Sequence, residues 1–97
     1  MTILLIAAAL AAAPCPTDAS APAQLCRAVA AQAEGRFAES AAGFEAAAGL
    51  AKPGDPAADR MLAAAGNMWI AAGQPGKAAL AIDRALAGTG LLADQRG

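Results

Sequence analysis

The stretch "GNMWIAAGQPGKAALAIDRALA", Gly66 to Ala87, constrains this chain most strongly. Two runs with apolar residues three and four apart flank a Gly-Gln-Pro-Gly breaker. Such a pattern is an amphipathic helix, a sharp stop and a second helix that doubles back. The same grammar extends upstream. Leu25, Val29 and Gln32/Ala33 predict a helix over about 22–33, closed by Gly35. Phe37, Ala41, Phe44 and Ala48 predict one over about 37–50, stopped by "KPGDP". Asp55 is a good N-cap with Pro56 at the first helical position. Met61, Leu62, Ala65, Trp69 and Ala72 then predict a helix over about 56–72, and Ala79, Ile82, Ala85 and Leu86 one over about 76–87. No stretch alternates as a strand does. The expected fold class is all-α.

Composition decides how those helices meet. Of 97 residues, 33 are Ala. Ala is the best helix former and buries little area, so the helices should approach closely around a thin core. Seven basic against eight acidic residues make no field for nucleic acid. No Lys/Arg cluster suits an anionic membrane. There is no His, which removes the usual base of nucleophilic catalysis. Ser20 falls in a linker and Ser40 at a packing position. Asp55 and Asp59 are explained by capping and the helix dipole. Glu34, Glu39 and Glu45 read as scattered solvent charges. No catalytic residue, metal site or cofactor is expected.

The N-terminus is a separate object. "ILLIAAALAAA", Ile3 to Ala13, is about 11 apolar residues, roughly 16 Å as a helix. A membrane span needs roughly 20 residues, so no stable span is expected. The segment fits the apolar region of a signal peptide, which implies export, to the periplasm in a bacterium. Small-x-small cleavage signals end at Ala13 and at Ala23. The first leaves Pro14 directly after the cut, a placement expected to disfavour processing, and the second, farther from the apolar run, releases a chain starting at Gln24. "PCPTDASAPA", residues 14–23, has three prolines and reads as a mobile linker. Cys15 is a poor lipidation site, since Pro14 precedes it. Cys15 and Cys26 could pair in an oxidising compartment if Cys15 survives processing. A cut after Ala23 instead leaves Cys26 as a lone buried thiol, and that is the expectation.

The two hairpins repeat. Gly35 and Gly73 are 38 positions apart, and at that offset Ala28 meets Gly66, Phe44 meets Ile82 and Ala47 meets Ala85. The pattern resembles the tetratricopeptide repeat, a helix–turn–helix unit of about 34 residues. In the second unit the motif positions are Leu62, Ala65, Gly66, Trp69, Gly73, Ala78, Ile82 and Ala85. In the first they are Gln24, Arg27, Ala28, Ala31, Gly35, Ser40, Phe44 and Ala47. Gln24 and Arg27 depart from the usual apolar residues, and a longer loop around "KPGDP" absorbs the extra length.

The resemblance implies a right-handed superhelical stack of antiparallel hairpins, an α-solenoid fragment, with units at 24–52 and 56–90. Residues 1–23 would be signal peptide and linker, and 91–97 the start of a further helix or a tail. Trp69, Gly66, Gly73, Ala78, Ile82 and Phe44 would form the structural core. The family's concave groove is lined by the first helix of each unit, which implies Arg60, Asn67, Ile70, Val29 and Gln32 as partner-binding residues. Asn67 resembles the asparagine of a carboxylate clamp, although Ala63 stands where the accompanying lysine belongs; a solvated polar residue is the competing reading. The function implied is an exported, non-catalytic module that binds a peptide or protein. The alternatives are a small self-associating helical protein and an N-terminal accessory piece of a larger assembly or enzyme.

Overall fold

The computed structural model describes residues 14–88 and 90; the apolar segment at residues 3–13 and the expected further helix at 91–97 lie outside them. Four helices follow in order: α1 (Ala21–Ala33), α2 (Phe37–Gly49), α3 (Pro56–Ala71) and α4 (Pro75–Ala87). No strand occurs among the described residues. The fold is all-α, and each expected helix is present within one residue at either end.

The turns explain why. Two connections, α1–α2 and α3–α4, end in the same hydrogen-bonded cap. The Arg36 amide donates to the Ala31 carbonyl at 2.9 Å, and the Gly35 amide to Gln32 at 3.1 Å. At the second turn the Gln74 amide donates to Trp69 at 2.9 Å and the Gly73 amide to Ile70 at 3.0 Å. This is the Schellman arrangement, which needs a left-handed residue after the helix. Gly35 (φ 78°) and Gly73 (φ 76°) supply it. A turn this short sends the next helix back along the last, so each pair is an antiparallel hairpin. The connection α2–α3 is longer. Asp55 starts α3 by accepting from the Ala57 amide at 2.9 Å, and Pro56 takes the position that needs no donor.

A glycine marks the close approach in each hairpin. A Cβ added to Gly43 of α2 would lie 2.9 Å from the Ala28 Cβ of α1. A Cβ added to Gly66 of α3 would lie 2.5 Å from Ile82 Cγ1 of α4. Buried Ser40 adds a polar tie in the first hairpin, its hydroxyl donating to the Ala28 carbonyl at 2.7 Å. Ala28 and Ser40 stand 38 positions before Gly66 and Ala78, the equivalent close-approach pair of the second hairpin.

Consecutive helices pack in extended contact, α1 on α2, α2 on α3 and α3 on α4. The resulting core is thin. Ten of the thirteen buried hydrophobic residues are Ala, and only Phe44, Leu62 and Trp69 are large. Phe44 and Trp69 join one cluster that draws on all four helices, with Leu25 and Met68 packed against it. Leu62 forms a second with Ala48 and Ala85.

The faces that α1 and α4 bury differ from those the spacing suggests. The spacing sets Val29 on the apolar face of the first helix, yet it is 53% exposed, because α1 buries Ala28 and Ala31 instead. The spacing likewise sets Ala79 and Leu86 on the apolar face of the last helix. Both are exposed, and α4 buries Ala78, Ala81 and Ala85. The small residues face inward because only they allow the close approach, which leaves the bulkier ones at the flanks. Gly73, a core position by the resemblance, is exposed; its work is the turn.

The cysteines differ as well. Cys15 and Cys26 form a disulfide with Cα atoms 5.7 Å apart, and Cys26 is exposed on α1 rather than a lone buried thiol. Residues 14–20 are therefore tethered. Arg27 Nη1 donates to the Pro16 carbonyl at 2.5 Å, and Ser20 caps α1 by accepting from the Ala23 amide at 3.3 Å. Ala23 itself is fully buried. A cut between Ala23 and Gln24 would sever the first turn of α1 and discard one half-cystine.

Candidate functional site

Trp69 sits in the last turn of α3, 6% exposed, with its ring across the space between α2 and α4. Its indole N–H donates to Glu45 Oε1 of α2 at 3.0 Å. From α4, the Lys77 ammonium lies 4.7 Å from the ring centroid, within cation–π range. One side chain of α3 is thus held at its edge by α2 and over its face by α4. Glu45 is not a scattered solvent charge: it satisfies the one polar atom of the buried ring, as a buried indole requires.

These three residues line a cleft of about 410 Å³ together with Leu80, Ala81 and Arg84. The α4 members follow spacings of three, four and seven, which places them on one face. Leu80 is 68% exposed and Arg84 is exposed. The cleft has an aromatic floor, an aliphatic wall and two cations against one carboxylate. A second hollow of about 400 Å³ lies beside the α2–α3 loop, lined among others by Lys52, Asp55, Asp59, Leu62 and Arg84. There the Asp59 carboxylate accepts from the Gly90 amide at 2.9 Å, so this side chain anchors the backbone that follows α4.

The residues expected to bind a partner lie elsewhere. Arg60, Asn67 and Ile70 are at solvent on α3, and Val29 and Gln32 at solvent on α1. Ile70 is 57% exposed and Val29 53%. Both helices pack on α2, and the extended contacts are between consecutive helices, so the two sets lie on separate elements. Of the residues expected in the core, Trp69, Gly66, Ala78 and Phe44 are buried and Ile82 half-buried.

Charge pairing is sparse and superficial. Arg36 bridges Glu34 and Glu39 across the first turn, with all three side chains about half exposed or more. Pairs of that kind contribute little. No buried side-chain nitrogen or oxygen lacks a partner among the described residues. None of those residues form a group of three or more His, Cys, Asp or Glu suited to a metal ion. No helix among them is long and apolar enough to cross a membrane.

No protein-family model, curated protein or solved structure matches this chain. The cleft around Trp69 has no local mark in the sequence, because its anchor, Glu45, is 24 positions away. One signal was present. Lys77, Leu80, Ala81 and Arg84 form a face of mixed character along α4, distinct from a purely apolar stripe.

Proposed function

We propose that this chain is an exported, non-catalytic protein-interaction module built from two tetratricopeptide-like hairpins. The observation that carries this reading is the repetition in space: the same hydrogen-bonded cap closes both hairpins 38 positions apart, and Ala28 and Ser40, which meet in the first, stand at the places of Gly66 and Ala78, which meet in the second. Units of this kind do not close a core alone and present their faces to partners. The thin core accords with that role, since few large side chains are committed inside.

Export is supported by the Cys15–Cys26 disulfide, a bond that persists in oxidising compartments such as the periplasm. On this reading the leader is removed ahead of Cys15, at the Ala13 signal, so that the half-cystine and the Ser20 cap are retained.

The α1 and α3 surface carrying Val29, Gln32, Arg60, Asn67 and Ile70 is the partner face that the resemblance implies. Site-specific photo-crosslinkers at Asn67 and Gln32, introduced in the exporting cell, test it. A discrete adduct from both positions, lost in Ile70→Asp, is the expected result. Adducts from neither position would remove the reading of that face. Self-association is the second reading, favoured by the exposure of Leu80 and Leu86. Light scattering separates the two: a mass that rises with concentration selects it.

A further inference from the structure

We propose that the cleft between α2 and α4 binds an acidic peptide segment, with Lys77 and Arg84 taking its carboxylates and Leu80 an adjacent apolar side chain. This rests on the interaction-module reading but assigns the binding to the opposite pair of helices.

Charge complementarity carries the argument. Glu45 is already held by the Trp69 N–H at 3.0 Å, so the one carboxylate in the cleft is engaged from inside. Lys77 engages only the ring face, 4.7 Å from its centroid. A cation over an aromatic face keeps its N–H groups for other acceptors. Among the described residues neither Lys77 nor Arg84 forms an ion pair. They are seven positions apart on one helix face, two turns or roughly 10 Å. That separation suits two acidic side chains of one extended or helical segment. Leu80 lies between them along α4 and is 68% exposed. The cleft, about 410 Å³, is open to solvent on the side these residues line and floored by an aromatic ring. Arg84 also borders the hollow lined by Asp55 and Asp59, whose carboxylates accept from the Ala57 and Gly90 amides.

Trp69 is the only Trp in the chain and there is no Tyr, so indole fluorescence reports on this cleft alone. The test titrates the oxidised full chain with three peptides: acetyl-Leu-Glu-Glu-Leu-amide, and the same peptide with Gln or Lys in place of Glu. A saturable change with the Glu peptide only is expected. Lys77→Gln and Arg84→Gln should each weaken it by about tenfold, as loss of a charge-assisted hydrogen bond does. Lys77→Arg should retain it. Both positions are exposed, and circular dichroism confirms that each variant keeps its helices. Equal responses to all three peptides, or none to any, would overturn the proposal. Ile70→Asp and Val29→Asp separate this outcome from failure of the module itself. Followed by calorimetry, which detects binding at either face, loss of Glu-peptide binding in Ile70→Asp and Val29→Asp but not in Lys77→Gln and Arg84→Gln places the site on the α1/α3 face: the cleft proposal falls and the interaction module stands.

Discussion

Trp69 is the residue on which the second hairpin depends. It is one of three large side chains in the core and touches elements on both sides. Trp69→Ala should cost about 3–5 kcal/mol, read as a fall in the midpoint of urea unfolding. Its edge can be tested separately. Glu45→Ala strands the indole N–H in a half-buried site and should cost about 1–2 kcal/mol, whereas Glu45→Gln keeps an acceptor and should cost less than half as much. Equal losses for the two would mean that the hydrogen bond contributes nothing. The sequence marked Trp69 as core by its spacing. It gave no sign of Glu45, because that partner is brought in by packing of α2 on α3.

At the scale of the helices, the caps and close approaches decide the geometry. Gly66→Ala gains helix propensity, worth about 1 kcal/mol, but its Cβ would meet Ile82 Cγ1 at 2.5 Å. Overpacking of that kind costs about 1–3 kcal/mol. A β-branched Ile side chain has little freedom to retreat, so a net loss is expected. Gly49→Ala, with nothing within 4 Å of the added Cβ, is the control and should stabilise. Thermal melts of the two variants check both signs.

The N-terminal clasp is a second device at this scale. The disulfide closes a short loop, Cys15 to Cys26. Its reduction should remove about 2–3 kcal/mol on the loop-entropy account. Iodoacetamide should label neither cysteine in the native exported protein and both after reduction, as mass spectrometry would show. N-terminal sequencing should then find a start ahead of Cys15; a start at Gln24 would contradict the clasp.

For the whole molecule, four helices in chain order pack each on the next, and no buried polar side chain is left without a partner among the described residues. Large apolar groups remain outside: Leu80 and Leu86 on α4, Ile70 on α3, Val29 on α1 and Leu50 at the end of α2. Scattered exposed leucines are ordinary; here they coincide with a core made mostly of Ala. Leu80→Gln with Leu86→Gln should therefore leave the unfolding midpoint unchanged within about 0.5 kcal/mol. Any self-association seen by light scattering should disappear with the pair.

The sequence alone determined the helices and where they stop. Gly35 and Gly73 at positive φ, Asp55 before Pro56 and runs of Ala act through backbone sterics and local hydrogen bonds, which need no distant partner. Only the tertiary structure decided which side of each helix faces inward. With Ala on nearly every side, periodicity could not separate the stripe that buries Ala28 and Ala31 from the one that carries Val29. Close approach at Gly43 and Gly66 selected the smaller stripe. The same packing joined Cys15 to Cys26 and brought Glu45 to Trp69, contacts between positions that no local rule relates.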